Sequence, residues 1–264
     1  SIVTINYNNS IGLETTLKSI DSQTYDLIEL VVVDGKSSDN SINVINHYHE
    51  IINKKIIESD NGIYFAMNKG ISFCRGDFLI FLNSGDSFYN SNALKEIVSK
   101  IKNKEKGYFG RAIIRDVDND LSFKSPMFKI DKYQINYYFI PNHQAILFPK
   151  SFYLNNNYNL NYTICSDVDY TFRLATSNQI KFIDIDFVIF EFGGVSSKFK
   201  SLKKTLTQIR ESFSINYEYQ ENKLKAFVYK PLTYLLKFLL DKILGKYYFN
   251  IIKKINGFKQ KQIY

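Results

Sequence analysis

Along the first hundred residues, dense apolar runs alternate with stretches of helical periodicity. Ser1–Asn6 is a short apolar run bounded by Asn. Ile11–Ser22 then carries Ile11, Leu13, Leu17 and Ile20 at helical spacing. Ile28–Val33 is a β-branched run of the kind expected for a strand covered on both faces. The spacing predicts a helix over Asp39–His49 with Asp39 as N-cap, a strand at Lys55–Glu58 and a helix at Gly62–Phe73. A buried strand at Phe78–Leu82 and a helix at Asn92–Ile101 follow. Strict alternation of this kind implies a mainly parallel sheet with helices on both faces, and ligands in such sheets bind beyond the carboxyl ends of the strands. The positions to inspect are therefore those just after Ile5, Val33, Glu58 and Leu82.

After residue 106 the alternation stops. Tyr108–Arg115, Leu121–Lys124 and Ala145–Phe148 read as strands without clear helices between them. Ser166–Ser177 reads as a helix, Ile180–Phe192 as a pair of short strands, and Lys198 onward as helical to the end. This half is expected to extend the sheet. The organisation expected is an α/β domain with a mainly parallel central sheet over 1–197 and a basic amphipathic helical region over 198–264.

Composition changes this picture little. The chain of 264 residues is 45% hydrophobic and 23% charged with four prolines, as expected of a folded protein. Its two cysteines, Cys74 and Cys165, lie in no CxxC or Cys/His spacing, which disfavours zinc and suits two buried reduced thiols. The opening run reads as a strand rather than as a basic segment leading into an apolar one, so no signal peptide is expected and the expected location is cytoplasmic. The net charge of +8 is concentrated in lysines after residue 198, which interleave with Leu232, Leu235, Leu236, Leu239, Ile243, Tyr247 and Ile251. The apolar run falls short of the roughly 20 residues a spanning helix needs. It suits an amphipathic helix on an anionic membrane face, or equally a helix packed on the domain or on a second subunit. The lysines interleave with no nucleic-acid-binding module, so no nucleic-acid partner is expected.

The residues at the strand ends carry the chemistry. Asn6-Tyr7-Asn8-Asn9-Ser10 follows the first strand and contains no glycine, which disfavours a dinucleotide fingerprint, and the chain has no Walker-type loop. The same lack of a Gly-rich basic loop disfavours a nucleotidyltransferase. Val33-Asp34-Gly35-Lys36-Ser37-Ser38-Asp39 suits hydrogen bonding to a base or ribose, and equally a helix-capping loop. Asp60 ends the third strand, and Asn68-Lys69-Gly70 puts a cation where it could meet a carboxylate or a phosphate, or simply face solvent. Leu82-Asn83-Ser84-Gly85-Asp86 ends the fourth. A carboxylate there suits a divalent cation that clamps a diphosphate, or an Asp-terminated turn.

Taken together, these segments resemble the family 2 inverting glycosyltransferases of the GT-A fold, and in particular the bacterial enzymes of exopolysaccharide and O-antigen assembly. The resemblance covers roughly residues 1–197. That subgroup often reads V-D-G-x-S-x-D, then D-x-G-I-Y-x-A-M-N-K-G, then L-N-x-D/G-D; this chain has Val33 to Asp39, Asp60 to Gly70 and Leu82 to Asp86 in that order. The resemblance implies that Asp34 and Asp60 contact the donor nucleotide and that Asp86 is the ligand of Mn²⁺ or Mg²⁺. Asn83 stands where other members carry the first Asp of D-x-D. Lys69, Asn83 and His143 join the donor-binding set, with His143 in the H-Q element Pro141-Asn142-His143-Gln144-Ala145, placed to bond the diphosphate or the acceptor. In Ser166-Asp167-Val168-Asp169-Tyr170-Thr171-Phe172-Arg173-Leu174, Asp167 falls on the position of the general base. The other reading of Asp167 is a first-turn carboxylate favoured by the helix dipole. Phe192-Gly193-Gly194-Val195-Ser196-Ser197 resembles a loop that orders over bound donor. The implied function is inverting transfer of a sugar from a nucleotide-diphosphate donor, a UDP-sugar, to a glycan or polyprenyl-linked acceptor in surface polysaccharide synthesis. The rival from another class is a non-catalytic carbohydrate- or lipid-binding module, against which the set Asp34, Asp60, Asp86 and Asp167 argues.

Overall fold

The computed structural model describes residues 1–116, 121–125, 140–178, 180–191, 202–219 and 239. The glycine loop at 192–197 and the basic segment beyond 219, apart from 239, lie outside the described residues. The first half alternates as the periodicity predicts. It runs β1 (Ile2–Asn6), α1 (Ser10–Asp21), β2 (Leu30–Asp34), α2 (Ser41–His47), β3 (Lys54–Ile57), α3 (Ile63–Ile71) and β4 (Phe78–Phe81). Then come β5 (Ser87–Phe88), α4 (Ala93–Ser99), β6 (Gly107–Asp116), β7 (Leu121–Ser125), a 3₁₀ turn at His143–Ala145, β8 (Ile146–Pro149) and α5 (Lys150–Tyr153). The last elements described are α6 (Ser166–Asn178), β9 (Ile180–Glu191) and α7 (Leu202–Tyr219).

The strands form one mixed sheet in the order β3-β2-β1-β4-β8-β6-β9-β5, with β7 paired to β6. The parallel run is β3-β2-β1-β4, and β6 and β9 are also parallel to each other. Alternate strand residues serve opposite faces, as the two-residue period of a strand requires. Ile2, Leu30, Val32 and Ile80 enter one core with α1, α2 and α4. Val3, Val31, Val33, Leu79 and Phe81 enter the other with α3, α5 and α6. That double coverage explains why β2 is apolar without interruption. Residues 180–191, expected as two short strands, form a single strand whose register against β6 shifts around Arg111. Asp39 does not occupy the cap position of α2, which falls to Asn40. It accepts hydrogen bonds from Ser41 N and Ser10 N instead, at 3.0 and 2.9 Å. Neither cysteine is in a disulfide, and both are buried.

Two antiparallel pairings matter for the site. β8 runs against β4, so the turn that opens β8 lies beside the carboxyl end of β4. β9 runs against β5 with Ser87 opposite Ile189, which carries Glu191 back to the turn at Gly85. The helix α7 packs on α6 and its lead-in through Ile164, Cys165, Phe172 and Ile215.

Candidate functional site

The four loops at the strand ends converge. The first, Tyr7 to Asn9, is tied to its neighbours by side-chain bonds. Asn8 N donates to Ser37 Oγ at 2.8 Å, Ser38 N donates to Asn8 Oδ1 at 2.8 Å, and Asn9 Nδ2 donates to Ser84 O at 3.2 Å. Asn9 also caps α1 by accepting from Gly12 N. This lacing leaves the Tyr7 ring 69% exposed at the mouth of the sheet. A methyl group at Gly35 would stand 3.0 Å from the Tyr7 ring and 3.3 Å from Asp60 Oδ2, so glycine is what lets these three segments meet. Tyr7 and Asp60 thus frame one cleft, with the Gly35 backbone as its floor.

Asp34, which the resemblance assigns to the donor nucleotide, is enclosed by its own loop and by Asn6. It is 0% exposed, and its oxygens accept from Asn6 Nδ2 at 2.7 Å, Ser37 N at 2.7 Å and Ser37 Oγ at 2.8 Å. A buried carboxylate needs such donors, and these hold the 35–38 loop in shape. The Lys69 ammonium lies 2.7 Å from Glu58.

The turn after β4 is built around Thr16 of α1. The Thr16 hydroxyl lies 3.0 Å from Asn83 O and 2.7 Å from Asp86 O, and it accepts from Gly85 N at 3.1 Å. Asp86 is 4% exposed and accepts from Gln144 Nε2 at 3.2 Å and from Glu191 N at 3.4 Å. Burial pushes its carboxyl up to about 7, against the opposing pull of His143 and of the Gln144 bond.

His143 and Gln144 are consecutive, and they bridge two carboxylates that come from distant parts of the chain. Gln144 holds Asp86, while His143 Nδ1 lies 3.4 Å from Asp167 Oδ2. Asp167 opens α6 and also faces the Tyr64 hydroxyl of α3, 3.1 Å from Oδ1. Burial pushes the Asp167 carboxyl up, but His143 and the Tyr64 hydroxyl outweigh that and hold it below the usual carboxylate range. It is therefore ionised at neutral pH, as a base must be. Beneath the pair lies an aromatic floor: Phe81 packs against His143, and Tyr64 stacks on Tyr158 with centroids 5.3 Å apart.

Among the described residues, no three His, Cys, Asp or Glu side chains cluster so as to hold a metal ion by themselves. Mg²⁺-like ions are commonly held by one or two carboxylates together with substrate phosphates and water. The donor set fits that mode: Asp86 supplies the carboxylate, and Asn83 Oδ1, His143 Nε2 and Gln144 Oε1 are buried polar atoms with no hydrogen-bond partner.

Of the residues singled out in the sequence, Asn83, Asp86, His143 and Asp167 come together at one end of the sheet. Asp60 lies across the cleft with Tyr7. Tyr7, Thr16, Tyr64, Gln144 and Glu191 complete the site without having been singled out by sequence. Gln144 and Tyr64 stood inside recognised motifs. Glu191 carries no local signal, and only the β5–β9 pairing brings its carboxylate toward Gly85.

Known proteins resemble this chain in sequence and in fold. The profile of Glycosyl transferase family 2 matches residues 1–165. A PGL/p-HBAD biosynthesis glycosyltransferase of Mycobacterium bovis is 28% identical over 207 residues, covering 75% of this chain and 78% of the relative. Among solved structures, S. aureus TarS 1-349 in complex with UDP superposes with a TM-score of 0.64 at 17% identity, covering 93% of this chain and 72% of that one. The mannosyltransferase PcManGT from Pyrobaculum calidifontis, in complex with GDP-Man and Mn²⁺, superposes with a TM-score of 0.60 at 12% identity, covering 97% and 79%. At these identities the structural likenesses concern the fold.

Proposed function

The chain belongs to glycosyl transferase family 2 and is a glycosyltransferase; on that footing we propose that it transfers a sugar, with inversion, from a UDP-sugar to a glycan or polyprenyl-linked acceptor in surface polysaccharide assembly. The observation that carries the reading is the His143–Gln144 bridge, which sets a buried carboxylate at a strand end and an ionised carboxylate at a helix start into one site.

In this reading Tyr7 and Asp60 receive the nucleoside, the ring by stacking and the carboxylate by accepting a hydrogen bond. Asp34 acts at one remove, by fixing Ser37 and the backbone at Gly35. Lys69, paired with Glu58, steadies the segment that carries Asp60. Asp86 and Asn83 would hold Mn²⁺ or Mg²⁺, which would supply positive charge to stabilise the leaving diphosphate. Asp167 takes the proton of the acceptor hydroxyl as its oxygen bonds to the anomeric carbon and the bond from that carbon to the diphosphate oxygen breaks. His143 keeps Asp167 ionised and oriented. No helix of the described residues is long and apolar enough to cross a membrane. Contact with the cytoplasmic membrane face is assigned to the basic segment within 198–264, next to a lipid-linked acceptor.

The test is turnover. A panel of UDP- and GDP-sugars with a polyprenyl-pyrophosphate-linked sugar, followed by NMR of the product anomer, is expected to give metal-dependent release of UDP from one donor and an inverted linkage. Retention of configuration would contradict Asp167 as base, and metal-independent release would contradict the role of Asp86.

A further inference from the structure

Glu211, on α7, is a carboxylate only 2% exposed, in a helix the sequence reads as part of an appended basic segment. Its oxygens accept hydrogen bonds from Thr163 N and Thr163 Oγ1 at 2.8 Å each, and from Ile164 N and Cys165 N at 2.9 Å each. Three consecutive amides converging on one anion form a nest, a backbone arrangement with a strong preference for negative charge. A buried carboxylate is costly unless donors surround it in this way.

What the nest holds is the entry to the helix that carries the base. Cys165 O accepts from Val168 N and Asp169 N and so starts α6. Ile164 O accepts from the Tyr64 hydroxyl at 2.6 Å, and that hydroxyl lies 3.1 Å from Asp167 Oδ1. One turn further on, the Tyr219 hydroxyl of α7 donates to Asp169 Oδ1 at 3.1 Å, and its ring lies parallel to Phe172 with centroids 5.5 Å apart. These polar contacts of α7 fall on the lead-in and first turn of α6, where Asp167 is placed.

We infer that Glu211 is a positioning residue for the base: through the Thr163–Cys165 nest and the Ile164–Tyr64 contact, the C-terminal helix sets where the Asp167 carboxylate stands against His143. This inference rests on the reading of Asp167 as base, and the donor cleft at Tyr7 and Asp60 lies on other elements. The two sites are therefore separable by experiment.

Glu211→Gln keeps the shape but puts an amide group against donors that need an acceptor. Misplacement of a reacting group by 1 Å costs about a hundredfold. The variant is expected to lose roughly ten- to a hundredfold in kcat while UDP affinity, measured by calorimetry with Mn²⁺, stays within about twofold of wild type. In the nitrogen NMR spectrum of the protein without donor, the His143 Nδ1 signature of its pairing with Asp167 is expected to change. A wild-type His143 signature, an unchanged kcat, or a fall in kcat matched by a fall in UDP affinity would each overturn the inference. Should Glu211→Gln not fold, Thr163→Val removes one donor at an exposed position. It is expected to lower kcat without changing UDP affinity, and an unchanged kcat there overturns the inference too. A wild-type protein that neither binds UDP nor turns over any donor would instead refute the functional reading itself, while the His143 spectrum still reports on Glu211.

Discussion

Asp167→Asn separates proton transfer from architecture. The substitution is nearly isosteric, and the Asn side chain still faces Tyr64 Oη, which lies 3.1 Å from Oδ1 in the parent. What disappears is the charge that faces His143 at 3.4 Å and the ability to take a proton. The His143–Asp167 pair is partly screened, with 13% and 24% of its side chains exposed. Its loss should therefore cost on the order of 1 kcal/mol, a fall of roughly 2–4 °C in Tm for a domain of this size. The donor contacts proposed at Tyr7 and Asp60 are untouched, so the Kd for UDP with Mn²⁺ should stay within about twofold. The chemical step should slow by about 10² to 10⁴, which is roughly 2.7–5.5 kcal/mol of transition-state stabilisation. The assay is initial-rate release of nucleoside diphosphate at saturating donor and acceptor, with melting and UDP titration alongside. A variant within threefold of wild-type turnover would refute Asp167 as base. Equal losses in turnover and UDP affinity would place it in binding instead.

Three further outcomes follow from the same geometry. In His143→Ala, burial of Asp167 is opposed by Tyr64 but no longer by the imidazole. The base works ionised and activity is lost as pH falls through its pKa, so the acid limb of kcat/KM should move to higher pH than in wild type; an unmoved limb contradicts the pairing. Tyr7→Ala should weaken UDP binding by about 1–3 kcal/mol, the usual worth of stacking a base on an aromatic ring, with kcat at saturation little changed in the turnover assay. Gly70→Ala would bring a methyl group to 2.5 Å from Val3 Cγ1 where α3 crosses β1. Such overpacking should cost roughly 1–3 kcal/mol, read as a lower denaturant midpoint in a folded protein.

The parts of this account legible in the sequence are those fixed by local pattern. The uninterrupted run at Leu30–Val33 announces a strand covered on both faces, and the chain places Val31 and Val33 in one core and Leu30 and Val32 in the other. Asn83, Asp86 and Asp167 stand in motifs with defined places on strand ends and a helix start, and they meet where those elements end. Gly70 belongs to such a motif for a packing reason, its approach to Val3. The illegible parts depend on pairings between distant segments. Glu191 reaches Asp86 only because β9 returns antiparallel to β5, and Glu211 reaches residues 163–165 only because α7 docks on α6. Neither residue has a distinctive neighbour in sequence. Asp34 shows a different limit, since the sequence carries no sign of the bonds from Asn6 and Ser37 that surround this strand-end carboxylate.

The most direct test of the central claim, that Asp86 anchors a metal-bridged nucleoside diphosphate at the carboxyl end of the sheet, is calorimetric titration of UDP into the protein and into Asp86→Ala, each with Mn²⁺ and with EDTA. The account predicts binding by the parent with Mn²⁺ that weakens at least tenfold with EDTA, and the same weakening in Asp86→Ala whether metal is present or not. Equal affinity in all four titrations, or metal-dependent binding that survives in Asp86→Ala, would contradict it.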